Sequence, residues 1–110
     1  MYMVKRFDVC LVKLDPTVGS ELKKTRPVVI VSPNSMNLSR LSTVIVAPMT
    51  STLRENFPTR VTTLFNNKQG QIALDQIRSI DRMWILKVLG HVDISTENQL
   101  LDLLAVMFQR

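Results

Sequence analysis

Short apolar runs, separated by residues that favour turns, occupy most of the chain. Five of these runs are rich in β-branched side chains and short enough to be β-strands. Residues 78–81 are expected to lead into a short irregular or helical stretch around residues 82–84, and residues 66–70 are expected to form a turn. The predicted strands are residues 7–14, 28–31, 43–47, 60–65 and 71–75.

The last segment of the chain changes to a helical period. Thr96 is followed three residues later by Gln99, so Ser95 or Thr96 is expected to cap a terminal helix. The apolar face of this helix is wide for one side of a small sheet, and two interpretations stay open: the whole face is core, or part of it meets another subunit. The face carries Leu100, Leu103, Leu104 and Met107, widened by Leu101, Ala105 and Phe108.

Strands followed by one helix predict a mainly β (α+β) fold. The expected architecture is a small, curved antiparallel sheet or barrel with a C-terminal amphipathic helix. The length of 110 residues is typical of one domain, 1–110. No apolar run approaches the roughly 20 residues that cross a bilayer, and the start has no apolar signal-peptide core, so we expect a cytoplasmic protein without membrane contact.

Cysteine and histidine usage limits the metal chemistry that one chain can support. Cys10 is the single cysteine and His91 the single histidine, so neither an intrachain disulfide nor a Cys/His zinc site can form within one chain. Cys10 is expected to be a buried strand residue, and His91 an exposed or capping residue. Five carboxylates lack the close spacing of a magnesium site: Asp8, Asp15, Glu21, Asp75 and Asp81.

Positive charge is concentrated in the first part of the chain. The net charge is +5, and residues 1–60 hold nine basic and four acidic side chains, whereas residues 61–110 hold five of each. Such a field attracts polyanions such as RNA, DNA or an acidic peptide, although a solvated basic surface explains it equally well.

Three stretches are more specific than composition. Residues 14–21 read Leu-Asp-Pro-Thr-Val-Gly-Ser-Glu and are followed by Lys-Lys-Thr-Arg-Pro at 23–27; residues 46–51 read Val-Ala-Pro-Met-Thr-Ser; residues 74–81 read Leu-Asp-Gln-Ile-Arg-Ser-Ile-Asp. In this order and spacing, from about Lys5 to the terminal helix, the chain closely resembles the MazF/PemK (Kid) family of toxin endoribonucleases. Any one of the stretches alone would be a weak signal.

The resemblance implies a fold, an activity and partners. The implied fold is an SH3-like barrel with helical additions, shared with CcdB, MazF and PemK. The implied protein is a homodimer that cleaves single-stranded RNA at short specific sequences, without metal or cofactor, and arrests growth as the toxin of a type II toxin–antitoxin system. A cognate MazE-like antitoxin, whose C-terminal part wraps the dimer, is the implied inhibitor.

Two residues are matched by the resemblance to the family's catalytic positions. RNA is cut without metal when its 2′-OH attacks the adjacent phosphorus, leaving a 2′,3′-cyclic phosphate and a 5′-OH, and this needs a base, an acid and cationic stabilisation of the phosphorane. Arg26 is suited to that stabilisation because its planar guanidinium is always charged, with proton transfer as a second role. Thr50 is too weak an acid to be a general base near neutral pH and is expected to position the substrate. If these residues are only structural, Arg26 forms a surface salt bridge, and the Thr50 hydroxyl forms a hydrogen bond to the backbone at the end of its strand.

Five further residues are expected to bind substrate. Ser20 and Glu21 lie in the first loop, where a carboxylate accepts base-edge or ribose donors, and Glu21 is also a candidate base. By resemblance Asp75, Gln76 and Arg78 lie at or near the RNA groove, and Gln76 has the donor and acceptor needed to read a base edge. The structural alternative is that Asp75 and Arg78 pair and close the sheet.

The chain departs from the family pattern in two places. Phe7 and Cys10 stand where the family often has glycine and an aromatic residue in its first strand, so the edge of the groove is expected to be reshaped. The PemK branch uses a histidine and an arginine where this chain has Ser20 and Ala73, which leaves the Arg/Thr mechanism.

Two other functions compete with the ribonuclease: a CcdB-like toxin that poisons gyrase, and a catalytically inactive barrel that binds RNA or protein. The Thr-Arg-Pro and Asp-Gln-Ile-Arg segments favour the ribonuclease.

Overall fold

The computed structural model describes residues 3–13 and 25–110, and within these ranges the chain forms seven strands and two helices. Two 3₁₀ turns, Leu74–Gln76 and Arg82–Trp84, flank the sixth strand. The elements are β1 (Asp8–Lys13), β2 (Thr25–Ile30), α1 (Asn34–Asn37), β3 (Thr43–Thr50), β4 (Arg60–Phe65), β5 (Lys68–Ala73), β6 (Arg78–Asp81), β7 (Ile85–His91) and α2 (Ile94–Met107).

β3 organises the sheet because it changes partner along its length. The strand order is β4-β5-β3-β2-β1-β7, with all described pairings antiparallel, and β6 pairs with β3 off this path. Thr43 to Val46 pair with β6, whereas Met49 and Thr50 pair with β5. The sheet therefore curls into an antiparallel half-barrel, and the predicted mainly β architecture with a terminal helix is confirmed.

The two faces of the sheet bury two separate sets of side chains. The first core cluster includes Val29, Ala47 and Ile72, with Leu100 of α2 packed on it. The second core cluster includes Val28 and Val46 on the opposite face of the same strands, because successive strand residues point to opposite sides. Residues 28–30 of β2 and 46–47 of β3 are buried and alternate between the two clusters, so these parts of the strands are continuously apolar.

α2 covers the first core cluster, as its helical period predicts. Leu100 is fully buried, and Leu103, Leu104 and Met107 pack against the cluster. Leu101, Ala105 and Phe108 are exposed, so the interpretation that the whole face is core is wrong. Neither this helix nor any other in the described ranges is long and apolar enough to cross a membrane.

The predicted cap of α2 is wrong by two or three residues. Asp93 is the N-cap, and its Oδ1 accepts a hydrogen bond of 2.8 Å from the backbone N–H of Thr96. The Thr96 side chain is instead buried, with its hydroxyl 2.8 Å from that of Thr63 on β4. A hydroxyl inside the core cannot also cap the helix, and the carboxylate of Asp93 suits a helix N-terminus better.

The strand boundaries differ from the prediction around the β4–β5 hairpin. Asn66 and Asn67 have φ values of 50° and 62°, the signature of a two-residue turn, so β5 begins at Lys68 and the predicted turn at 66–70 is too long. Leu74 and Asp75 belong to a 3₁₀ turn rather than to a strand. The prediction also missed α1, β6 and β7.

Phe7 has the left-handed backbone that glycine adopts most easily. Its φ is 72°, its N–H donates to the Ile30 carbonyl at 2.6 Å, and its carbonyl accepts from Val92 at 3.2 Å. The ring is 3% exposed and belongs to the first core cluster, so burial and the two backbone bonds hold a conformation that costs about 1–2 kcal/mol for a bulky residue. Cys10 is buried, as predicted, and burial raises the pKa of its thiol to about 12.

Candidate active site

A cleft opens where β3 leaves β6 and joins β5. The chain crosses this gap in the 3₁₀ turn Leu74–Gln76, between the end of β5 and the start of β6. The cleft has a volume of about 220 Å³. We call it the arginine cleft; its lining residues are Arg26, Pro48, Thr50, Thr52, Arg54, Arg60, Ala73 and Gln76.

Arg26 and Thr50, the two predicted catalytic residues, both line this cleft. In the antiparallel register of β2 and β3, Val28 lies across from Pro48; Arg26 lies two residues before Val28 and Thr50 two residues after Pro48, so both lie at the same end of this strand pair. Arg26 is exposed and makes no ion pair within residues 3–13 and 25–110. Its guanidinium therefore faces the cleft without a described acidic partner.

The hydroxyl of Thr50 is oriented by its own strand end. Thr50 Oγ1 accepts a hydrogen bond of 3.1 Å from the backbone N–H of Thr52. This bond uses an oxygen lone pair and leaves the hydroxyl hydrogen to be donated into the cleft. β5 approaches closely at this point, since a Cβ added to Gly70 would lie 3.1 Å from the Thr50 carbonyl oxygen.

The 3₁₀ turn places Asp75 and Gln76 differently. Leu74 is buried and anchors the turn, and Gln76 lines the cleft. Asp75 Oδ1 accepts from Arg60 Nε at 2.9 Å and from the Thr59 hydroxyl at 3.0 Å. The Arg60 hydrogen bond lowers the pKa of Asp75 most, and the Thr59 bond adds to it against the opposing effect of burial. Asp75 thus orients a cleft arginine, and the alternative pairing with Arg78 is wrong.

Arg78 is not among the described residues that line the cleft. Arg78 lies in β6, and its guanidinium carbon is 5.7 Å from the centre of the Trp84 ring. Ser20 and Glu21 lie outside the described residues. Their predicted roles stay predictions.

The sequence analysis missed three cleft residues, Thr52, Arg54 and Arg60. Each lies in or next to the loop between β3 and β4, which carries no motif of its own. The signal that was available is the excess of positive charge in residues 1–60, since all three arginines of the cleft come from that part.

The cleft is positively charged. The charge of Arg60 is compensated by Asp75, and the Arg60 guanidinium carbon lies 5.3 Å from the centre of the Phe57 ring. Arg26 and Arg54 have no acidic partner in the part of the chain that the structure describes. That part also holds no group of three or more His, Cys, Asp or Glu arranged to bind a metal ion. Two unpaired guanidiniums beside a hydroxyl and an amide form a site suited to phosphate.

Comparison with known proteins identifies the family. A model of the PemK-like, MazF-like toxins of type II toxin–antitoxin systems matches residues 5–108. The chain is 33% identical over 96 residues to the endoribonuclease EndoA of Bacillus subtilis, covering 83% of this chain and 82% of that protein. It is 33% identical over 106 residues to the endoribonuclease MazF9 of Mycobacterium tuberculosis, covering 89% and 90% of the two chains.

A solved structure supports the same assignment. An endoribonuclease in complex with its cognate antitoxin, from a mycobacterial species, superposes with a TM-score of 0.75 at 26% identity, covering 94% of this chain and 92% of that one. The resemblance inferred from the three sequence stretches is confirmed. The chain belongs to the family of PemK-like, MazF-like toxins of type II toxin–antitoxin systems.

Proposed function

We propose that this toxin is a sequence-specific endoribonuclease that cuts single-stranded RNA in the arginine cleft without a metal ion. The observation that carries the proposal is the convergence of Arg26, Thr50 and Gln76 on one cleft from three distant parts of the chain. Membership of the toxin family and the endoribonuclease relatives support the substrate class.

The reaction begins with RNA bound so that one phosphate faces Arg26. The 2′-oxygen attacks phosphorus while a base takes its proton, the bond from phosphorus to the 5′-oxygen breaks, and the leaving oxygen takes up a proton. The products are a 2′,3′-cyclic phosphate and a 5′-OH. Arg26 stabilises the charge on the phosphorane oxygens, and the Thr50 hydroxyl donates to a non-bridging oxygen or orients the 2′-OH.

Hydrogen bonds carry the sequence specificity in this proposal. Gln76 offers a carbonyl and an amino group at the edge of the cleft, the pair that reads a base edge. The six aromatic side chains of the chain are few for a stacking platform. Ser20, Glu21, Asp75 and Arg78 are the other substrate-binding residues that we propose.

The partners follow from the same family. We propose a cytoplasmic homodimer that covers the apolar residues left exposed on α2, which include Leu101, Val106 and Phe108. We further propose a cognate MazE-like antitoxin with a short acidic segment that lies over the Arg26 and Arg78 region. Titration calorimetry at rising salt should show weakening affinity, and salt-independent affinity would argue against an electrostatic contact.

The test of the activity uses purified protein, a long RNA of mixed sequence and excess chelator. Cut sites are mapped and product ends analysed beside Arg26→Ala, with Arg40→Ala as the matched control because Arg40 is exposed outside the cleft. The proposal predicts cyclic phosphate and 5′-OH ends, lost in Arg26→Ala and kept in Arg40→Ala. No cleavage, or cleavage that needs an added metal ion, would contradict the proposed metal-independent ribonuclease. The next target to test would then be a protein such as gyrase.

A further inference from the structure

The loop that carries Arg54 is tied to the sheet by one buried side chain, that of Gln71. Gln71 is 6% exposed, and its Oε1 accepts from the Arg54 backbone N–H at 2.9 Å. Its Nε2 donates to the Arg54 carbonyl at 3.1 Å and to the Thr62 hydroxyl at 3.2 Å. One amide thus fixes both backbone polar groups of Arg54, as a neighbouring strand would.

Gln71 also connects this loop to the end of β3, which carries the predicted catalytic residue Thr50. In the sheet, Gln71 on β5 lies across from Thr50 on β3 and across from Thr62 on β4. Gln71 therefore ties the backbone of Arg54 to the β5 position that lies across from Thr50, in addition to the chain connection through residues 51–53. Such a pair of backbone hydrogen bonds positions a long side chain on an irregular loop more precisely, because the loop backbone would otherwise be free to move.

Arg54 stands between the arginine cleft and a neighbouring hollow. The hollow lies under the β3–β4 loop and shares both Arg54 and Arg60 with the cleft. Its other charged group is Glu55, and its apolar residues include the half-exposed Phe57. An RNA strand that extended from the cleft into the hollow would pass Arg54 and Arg60, since both residues line both.

We propose that Arg54 binds a phosphate that flanks the scissile one, and that Gln71 is the positioning residue that holds Arg54 there. Arg60 is already paired with Asp75, whereas Arg54 has no acidic partner among the described residues, so its forked donors are available for phosphate oxygens. The inference rests on the proposed ribonuclease function and adds a second phosphate site to it. A phosphate held one nucleotide away contributes to binding equally before and during the reaction, so it should act on KM and not on kcat.

The test compares Arg54→Ala, Gln71→Leu and the double variant on a short RNA that contains one mapped cut site. Binding is measured separately with the same RNA carrying a 2′-deoxy nucleotide at the cut. Arg54→Ala should raise KM and Kd about tenfold and leave kcat within about twofold. The slope of log Kd against log salt should fall by about 0.7, the value for one phosphate contact on a single strand.

The double variant separates positioning from a general loss of structure. If Gln71 acts through Arg54, Gln71→Leu should raise KM severalfold in the parent and have little further effect in the Arg54→Ala background. Thr62→Val removes only the third bond of Gln71 and should leave KM unchanged, and Arg40→Ala is the matched arginine control. If Gln71→Leu does not fold, Gln71→Glu is used instead, since it keeps the acceptor for the Arg54 N–H but opposes a carboxylate to the Arg54 carbonyl.

Each outcome decides the proposal. A KM unchanged in Arg54→Ala, or a fall in kcat with KM unchanged, would overturn the phosphate site. Equal effects of Gln71→Leu with and without Arg54 would overturn the positioning role. If the parent protein binds RNA but does not cut it, the ribonuclease proposal fails, while the effect of Arg54→Ala on Kd and its salt slope still decides the phosphate site.

Discussion

Arg26 and Arg82 are the same residue type in two very different regions of the molecule. Arg82 is 3% exposed, and its guanidinium donates to the carbonyls of Leu41 at 2.7 Å and Met36 at 3.0 Å. Arg26 is exposed in the arginine cleft, without an acidic partner among the described residues. Arg26 is the second residue of β2, and Arg82 directly follows β6.

The difference lies in where the guanidinium donors are used. Arg82 donates to one carbonyl in α1, that of Met36, and to one in the segment that connects α1 to β3, that of Leu41, and so fixes both to the 3₁₀ turn Arg82–Trp84. Arg26 keeps its donors for a ligand. A buried arginine with its donors satisfied is thus a structural residue, whereas an exposed one beside a hydroxyl in a cleft is a candidate for chemistry.

The largest expected effect is that of Arg26→Ala on catalysis. Removing a guanidinium that stabilises the phosphorane should lower kcat by roughly 100- to 1000-fold. The melting temperature should stay the same, because the exposed side chain makes no described ion pair. Single-turnover cleavage and thermal unfolding check this prediction. A kcat within threefold of the parent would remove the distinction between the two arginines.

Arg82→Ala should show the reverse pattern. Loss of its two hydrogen bonds, and of the packing of a side chain that is 3% exposed, should cost roughly 2–4 kcal/mol of unfolding free energy. Urea denaturation measures this cost, and kcat of the folded fraction should change little. Arg82→Lys provides the control, since it keeps the charge but not the fork that reaches both carbonyls. An unaltered urea midpoint in Arg82→Ala would contradict the structural role.

Thr50→Val tests whether the Thr50 hydroxyl takes part in catalysis, as is proposed for Arg26. The substitution keeps the shape of the side chain and removes the donor, and kcat should fall about 10- to 100-fold. Thr50→Ser should recover most of the rate, because it restores the hydroxyl that accepts from Thr52. Equal rates for the valine and serine variants would exclude a role for the hydroxyl.

The smallest effect is expected at His91, which lies outside the cleft. His91 Nδ1 is 3.0 Å from Asp8 Oδ1, and Nε2 is 3.1 Å from Glu97 Oε1. The hydrogen bond to Asp8 raises the pKa of His91 most, followed by that to Glu97, and burial opposes them. The charged form is therefore favoured in the folded state. Its stabilisation should be complete below the unfolded pKa of about 6.5 and lost as pH rises through the higher folded pKa.

The size of this effect is limited by solvent. The His91 side chain is 43% exposed, so screening should keep the contribution below about 1 kcal/mol. Unfolding free energies between about pH 5 and pH 9 should fall slightly for the parent and less for His91→Gln, while cleavage by the two proteins stays alike. A parent whose stability rises across this range would contradict the sign.

The sequence predicted the parts of the fold and site that carry a local signal. β4 was predicted with its observed boundaries, and α2 followed from its helical period. Arg26, Thr50 and Gln76 were found through their motifs, and all three line the cleft. β7 was missed because its pairing with β1 is irregular and its burial does not alternate.

The parts that could not be predicted depend on long-range contacts. Arg54 and Arg60 lie in a region without a motif, and only the change of partner by β3 brings them beside Arg26. Gln71 looks like an ordinary strand residue until its amide is seen bonded to the loop 17 residues earlier. Pairing of Asp75 with Arg78 was the structural alternative at the sequence level, but Asp75 pairs with Arg60 on β4, 15 residues earlier in the chain.

Replacing one 2′-hydroxyl of the RNA with hydrogen tests directly whether that hydroxyl is the nucleophile. An RNA with one mapped cut site is compared with the same RNA carrying a 2′-deoxy nucleotide on the 5′ side of the scissile bond, both in excess chelator. If the 2′-OH is the nucleophile, the deoxy substrate should bind with similar affinity and not be cut at that bond. Cleavage of the deoxy substrate at the same bond would show that another nucleophile attacks and would contradict the mechanism.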